Sequence, residues 1–266
     1  MMTQNPPEDS GRLTLASGLR FATAGLVLLI FWSACAFFLL PLAGATFHLR
    51  QQPRRRELGQ SALNLMFRGV AGILKSFGVV EVSYEGFDRL KLLTGPLILA
   101  PNHPALWDAV FVIAEAGRAS CVLKASLMHN PLLVVGSSMA GFVKNEPLHR
   151  MLKTCLERLR GGERVLFFPE GTRTRPEHGA VNPLTGSLAV LARQSRAPVM
   201  PVIIQTSSRY LGKGWPIWRL PRETVHLRLS LGEPLTCGSD EETVDFLERL
   251  RAVYVAAGCG GRADVS

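Results

Sequence analysis

Two short apolar runs, each cut off by a polar cluster, constrain this chain most. Pro96-Leu97-Ile98-Leu99-Ala100 leads into Asn102-His103-Pro104-Ala105-Leu106-Trp107-Asp108, and Arg164-Val165-Leu166-Phe167-Phe168 leads into Pro169-Glu170-Gly171-Thr172-Arg173-Thr174. A brief apolar run without alternation reads as a strand buried on both faces, the habit of a parallel sheet covered by helices. In an open sheet of that kind, ligands bind outside the carboxyl ends of the strands. One end carries an imidazole and a carboxylate, the other a carboxylate and a guanidinium. The two loops therefore suggest one site assembled from distant segments.

The neighbouring segments extend the pattern. Residues 79–84 alternate and read as a strand, a helix follows the His103 cluster to about Ala116, and 121–124 reads as a short strand. Residues 149–159 read as a helix stopped by Gly161-Gly162, residues 182–195 as another helix, and 199–204 and 225–230 as strands. The last helix is expected to start at Ser239, with Glu242 three residues on as a capping box. Strands alternating with helices predict an α/β fold with a mostly parallel central sheet flanked by helices. A length of 266 residues suits one such domain and a small appendage, and 47% hydrophobic residues supply a sizeable core.

The appendage is expected at the N-terminus. No charged residue occurs from Phe21 to Phe47, more than the ~20 residues that cross a hydrocarbon core. A cleaved signal peptide would have a shorter apolar stretch and a more strongly positive leader. The expected division is a polar tail over 1–20, a membrane anchor with a basic flank over 21–56, and a catalytic domain over 57–266. The anchor is a single helix or, broken at Pro41, a helical hairpin. Arg50, Arg54, Arg55 and Arg56 follow it, against Arg12 and Arg20 before it. The positive-inside rule then puts the catalytic domain on the cytoplasmic side of an inner or cytoplasmic membrane. The Arg54–Arg56 run also suits anionic head groups, at about 1 kcal/mol per residue. Residues 57–77 carry Leu58, Ala62, Leu65, Met66, Val70, Ile73 and Leu74 at helical spacing. That helix either lies on the membrane or packs on the sheet.

A formal net charge of +9 favours an anionic partner. With an anchor present, that partner is the lipid bilayer rather than nucleic acid. The five cysteines (35, 121, 155, 237 and 259) form no C-x-x-C pair and have no histidine at metal spacing. The pattern argues against a disulfide framework or a metal site and fits reduced thiols.

His103 and Asp108 are five apart, about 140° around a helix, and do not share a helical face. They meet if His103 lies in the loop and Asp108 in the first turn of the next helix, with Pro104 near its start. Asp108 then accepts from one ring nitrogen and leaves the other as a general base. The alternative is an Asp placed for the helix dipole beside an unrelated histidine. No Ser or Cys has the setting of a nucleophile, which suggests that the substrate supplies one. In the second cluster Gly171 permits close backbone approach and Arg173 offers a planar fork suited to phosphate. Glu170 either binds a substrate hydroxyl or holds Arg173, and the cluster can equally be a strand-end turn with a local ion pair.

Together, Asn102-His103-x-x-x-x-Asp108 and Phe168-Pro169-Glu170-Gly171-Thr172-Arg173 resemble the motifs of the glycerolipid acyltransferase family, which includes the 1-acylglycerol-3-phosphate acyltransferases. The similarity runs from about Leu97 to Leu235. Lys124, Pro131 and Gly141 fall where the family has its middle motif, and Pro201, with Val199, Met200 and Val202, matches its last block. The resemblance implies a membrane-bound acyltransferase of phospholipid biosynthesis, with acyl-CoA or acyl carrier protein as donor and a lysophospholipid such as 1-acylglycerol-3-phosphate as acceptor. It implies that His103, held by Asp108, deprotonates the acceptor hydroxyl. It also implies that Glu170, Gly171, Thr172 and Arg173 bind the acceptor, with Lys124 and Lys144 near its phosphate. Asn102, Pro169 and Pro201 support the motifs, and no metal or redox cofactor is implied. The family's middle motif ends in an arginine where this chain has Asn145. That leaves open a lipid acceptor without glycerophosphate, and a non-catalytic lipid-binding protein of the same fold. A thioesterase that uses water as acceptor is a third alternative.

Overall fold

The computed structural model describes residues 40–45, 53–215, 221 and 223–258, with residues 22, 25, 26, 29 and 33 as isolated points of the apolar stretch. The helices are α1 (Leu40–Ala45), α2 (Pro53–Ser76), α3 (Arg89–Leu92), α4 (Asp108–Ala116), α5 (Pro131–Met139), α6 (Leu148–Arg160), α7 (Gly186–Ser195) and α8 (Thr243–Ala256). The strands are β1 (Val80–Glu85), β2 (Leu97–Pro101), β3 (Ser120–Leu123), β4 (Val143–Lys144), β5 (Arg164–Leu166), β6 (Val199–Thr206) and β7 (Val225–Leu231). They form one sheet in the order β1-β7-β6-β2-β5-β3-β4. Every pairing is parallel except β6 with β7. The expected mostly parallel α/β sheet is what the chain forms.

The apolar runs are central because they serve two cores. All five residues of β2 are buried. Leu97 and Leu99 enter one hydrophobic cluster with Leu63, Phe67 and Leu74 of α2 and Phe111 and Val112 of α4. Ile98 and Ala100 point the other way, into a cluster with Cys155 and Leu159 of α6, Leu188 and Leu191 of α7, and Phe246 and Leu250 of α8. A strand with both faces covered has no polar face to alternate with, so its sequence is a continuous apolar run.

Several expectations shift at the ends of elements. The helix expected over 57–77 begins at Pro53, and it packs on the domain through Gly59, Leu63, Phe67, Val70 and Leu74 while Leu58 and Leu65 stay exposed. The basic run is only in part a free flank, since Arg54 alone of its three arginines is exposed. Arg55 is buried, and Arg56 reaches Glu163 at 2.8 Å, which also receives Arg158 at 3.3 Å. The helix expected from Asn182 begins at Gly186, because Asn182 spends its groups on the preceding loop. No capping box opens the last helix: it starts at Thr243, and Glu242 at its N-cap makes no side-chain cap. Most of the apolar stretch 21–47, and with it the expected anchor, lies outside the described residues. Among the described residues no helix is long and apolar enough to cross a membrane.

Candidate active site

β2 and β5 are adjacent and parallel, so their carboxyl ends deliver the two polar loops to the same edge of the sheet. Asn102 fixes the first loop. Its amide donates to the Ile204 carbonyl at 2.9 Å and its oxygen accepts the Ile204 N–H at 2.7 Å, stapling the end of β2 to β6. Pro201 is paired with Ala100 in that same register.

His103 lies just beyond the strand, and Asp108 is the first residue of α4. Asp108 Oδ2 sits 2.8 Å from His103 Nδ1 and accepts the Ala105 N–H at 2.8 Å. The turn over 104–107 thus brings together two residues that a continuous helix would hold apart. An ionised Asp108 places the proton on Nδ1 and the lone pair on Nε2. The imidazole rests on the Phe168 ring, with centroids 4.1 Å apart and planes at 32°. Asp108 is only 1% exposed. Burial pushes its carboxyl above the usual range, while the His103 hydrogen bond and the Ala105 N–H act in the opposite sense. Its Oδ1 has no hydrogen-bond partner among the described residues.

Glu170 neither holds Arg173 nor opens toward solvent. It is buried, and its carboxylate takes three hydrogen bonds of 2.8 Å, from the His103 N–H, the Thr174 hydroxyl and the Asn182 N–H. Desolvation raises its carboxyl, against the pull of those donors. The Thr174 N–H in turn donates to the His103 carbonyl at 2.7 Å. Both backbone groups of His103 are thereby clamped by the second loop. The Asn182 side chain closes that loop on itself, accepting the Arg175 N–H at 2.9 Å and donating to the Arg173 carbonyl at 3.1 Å. Pro169 is buried, and its carbonyl accepts the Thr185 N–H at 2.8 Å.

Gly171 turns the chain with φ 64°, a left-handed value that suits glycine, and its N–H bonds back to the Phe168 carbonyl at 3.1 Å. Its amide is spent on the turn. Arg173 Nη1 donates to the carbonyls of Leu211 and Gly212, each at 2.9 Å. Its other N–H groups make no hydrogen bond among the described residues. Lys124 directly follows β3, and Lys144 ends β4, exposed, on the same carboxyl edge of the sheet. They stand toward the β4 end, beyond β5, and form no ion pair among the described residues. Asn145 accepts the Ala125 N–H at 2.8 Å, tying the loop after β4 to the loop after β3.

The roles of Thr174, Asn182, Leu211 and Gly212 as partners of Glu170 and Arg173 escaped the sequence reading. Asn182 carried a misleading signal, since Asn before an apolar run reads as a helix cap. Leu211 and Gly212 carry none, because carbonyl acceptors have no side-chain signature.

Residues 81–205 match the family model described as Acyltransferase. The chloroplastic 1-acyl-sn-glycerol-3-phosphate acyltransferases of Brassica napus and Arabidopsis thaliana are each 24% identical over 190 residues, covering 68% of this chain and 52% and 51% of theirs. A Saccharomyces cerevisiae 1-acyl-sn-glycerol-3-phosphate acyltransferase is 27% identical over 121 residues, 42% of this chain and 40% of its own. The chain spans about half the length of the curated plant relatives it matches. The crystal structure of the 1-acyl-sn-glycerophosphate (LPA) acyltransferase PlsC from Thermotoga maritima superposes with a TM-score of 0.71 over 93% of this chain and 99% of that one, at 19% identity. That level of identity speaks for the fold. In sequence and in fold, then, this chain is similar to the glycerolipid acyltransferases.

Proposed function

We propose that this chain, similar to the glycerolipid acyltransferases over residues 81–205, moves a fatty acyl group from a thioester to the free hydroxyl of a lysophospholipid in phospholipid biosynthesis. The observation that carries the reading is the pairing of His103 Nδ1 with the buried Asp108 carboxylate at 2.8 Å. It leaves Nε2 as the basic nitrogen at the carboxyl edge of the sheet. The acceptor hydroxyl gives its proton to Nε2 as its oxygen attacks the thioester carbonyl. The tetrahedral intermediate then collapses, breaking the C–S bond, and the departing thiolate takes the proton back from the imidazolium. Asp108 holds the ring and offsets the charge it gains. Glu170 acts through the His103 backbone, and Arg173, with Lys124 and Lys144 along the same edge, attracts the acceptor's phosphate. The donor is acyl-CoA or acyl carrier protein. The apolar stretch over 21–47 ties the domain to a bilayer, with the site at its cytoplasmic face.

The test is thiol release from a labelled acyl thioester by the full chain in detergent, with and without 1-acylglycerol-3-phosphate, beside His103→Ala. Release that needs the acceptor and is lost in the variant supports the reading. Near-normal turnover in the variant sinks the mechanism, and release without acceptor makes the protein a thioesterase. One observation favours a second reading of the acceptor: Asn145 contributes no charge and is committed to the Ala125 N–H. Lysolipids without a phosphate monoester therefore belong in the panel.

A further inference from the structure

Residues 207–215, which follow β6, reach the site from a third direction, and hydrogen bonds fix their course. Leu211 holds a left-handed backbone with φ 59°. A branched side chain adopts that region only where its surroundings over-determine it, and such positions cluster at functional sites. Here the surroundings are plain. The Leu211 carbonyl accepts the Leu106 N–H at 3.0 Å and Arg173 Nη1 at 2.9 Å. The Gly212 carbonyl accepts Arg173 again, at 2.9 Å. Tyr210 is buried beneath, its ring edge-on to Trp215 at 6.1 Å. The loop is bolted both to the turn that carries His103 and to the arginine of the second motif.

What this anchored loop presents is Lys213. Its side chain is exposed, and its Nζ lies 3.3 Å from Thr172 Oγ1. Among the described residues neither Lys213 nor Arg173 forms an ion pair. An ammonium, a hydroxyl and the free side of a guanidinium thus stand on adjoining loops with no carboxylate bonded to either cation. Contact between an exposed ammonium and a neutral hydroxyl is weak, whereas charge-assisted bonds to phosphate oxygens are roughly twice as strong as neutral ones. A tetrahedral phosphate offers oxygens in three directions and suits three donors carried on two adjoining loops.

Resting on the acyl-transfer reading, which already gives Arg173 to phosphate, we propose that Lys213, beside Thr172, extends that phosphate contact and is a specificity-determining residue of this active site. The hydrogen bonds from Leu106 and Arg173 hold the strained Leu211 backbone, two residues before Lys213. Both substrates of such a reaction can carry phosphate, the acceptor on its glycerol and the donor on its carrier.

The experiment compares wild type, Lys213→Ala and Lys213→Arg, as full chains in detergent. The acceptors are 1-acylglycerol-3-phosphate and the matching monoacylglycerol, and the donors are acyl-CoA and acyl-pantetheine. Lys213→Ala should raise the KM of the phosphate-bearing substrate about tenfold, the loss of one charge-assisted contact. Lys213→Arg should restore most of it. A penalty that disappears with monoacylglycerol assigns the subsite to the acceptor, and one that disappears with acyl-pantetheine assigns it to the donor. Where a phosphate-free partner turns over too slowly, inhibition by inorganic phosphate replaces it, and the variant should need more phosphate. An unchanged KM, or the same loss with every pairing, overturns the subsite and leaves the acyltransferase standing. Wild type that transfers to none of these acceptors overturns both.

Discussion

The backbone N–H of His103 donates to Oε1 of Glu170 at 2.8 Å, across 67 residues of sequence. Together with the Thr174 N–H on the His103 carbonyl, this bond makes the second motif a mould for the first. Glu170→Gln should therefore behave as a positioning variant. An amide can keep the oxygen toward His103, but it then turns an NH2 group toward the Asn182 N–H, which loses its acceptor. The expected result is a fall in kcat of roughly tenfold to a hundredfold, the scale of a small misplacement of a catalytic group. KM for the acceptor should change little, and stability should fall by about 1–3 kcal/mol for the unmet donor. A rise confined to the acceptor KM would instead make Glu170 a substrate ligand.

Asp108→Asn separates chemistry from stability. Turnover should fall by roughly a hundredfold to ten-thousandfold, because the amide neither holds the imidazole in one tautomer nor offsets its charge. Stability should move the other way at neutral pH. Burial raises the Asp108 carboxyl above its unfolded value, so the folded state binds this proton more tightly than the unfolded chain does. Below about pH 4, the ordinary Asp value, both states hold the proton and the difference vanishes. As pH climbs from there through the folded-state value, stability is lost. The variant escapes that loss. Thermal unfolding of both proteins at pH 7 and near pH 4 checks it: the variant's advantage should shrink on acidification. An advantage that grows would mean that Asp108 is stabilised as a carboxylate.

The sequence made this much of the site legible for a physical reason. Leu97 to Ala100 and Val165 to Phe168 must face two cores at once, so they carry the continuous apolar signature of central strands, and the polar residues that follow announce the carboxyl edge. His103 and Asp108 were visible by type and spacing. The partners of Glu170 and Arg173 were not, since they are mainly backbone groups: the N–H of His103 and Asn182 and the carbonyls of Leu211 and Gly212. Any residue supplies those, and only the fold brings them near. The packing of Arg55 and Arg56 within the basic run was illegible for a related reason. Arginine on an exposed flank and arginine folded onto Glu163 have the same composition, and only the packing of α2 distinguishes them.

Arg173→Lys tests whether Arg173 serves substrate and scaffold together. A lysine keeps the charge and can reach one of the carbonyls, but it cannot bond both the Leu211 and Gly212 carbonyls and still offer a planar fork. The acceptor KM should rise about tenfold. kcat should fall too, because Leu211 also holds the Leu106 N–H beside the His103 turn. A pure effect on KM would reduce Arg173 to a substrate ligand, and a pure effect on kcat would reduce it to a staple.

Gly59 sets how closely α2 can seat on α5. A Cβ there would lie 2.5 Å from the Met139 carbonyl carbon and 2.6 Å from both the Met139 oxygen and the Ala140 nitrogen, all backbone atoms that cannot rotate aside. Alanine is favoured over glycine inside a helix by about 0.8–1.0 kcal/mol. The clash should outweigh that gain, since forcing extra volume into a packed contact costs about 1–3 kcal/mol. It would also strain the neighbouring Gln60, whose amide donates to Ser120 Oγ at 3.1 Å and to the Ala140 carbonyl at 3.2 Å. Gly69 and Gly72 lie in the same helix with nothing within 4 Å of an added Cβ. Gly59→Ala should lower the unfolding temperature while Gly69→Ala and Gly72→Ala raise it, so propensity and packing are read against each other in one helix. Gly59→Ala stabilising the protein as much as the other two would mean that α2 does not seat on α5 at this distance.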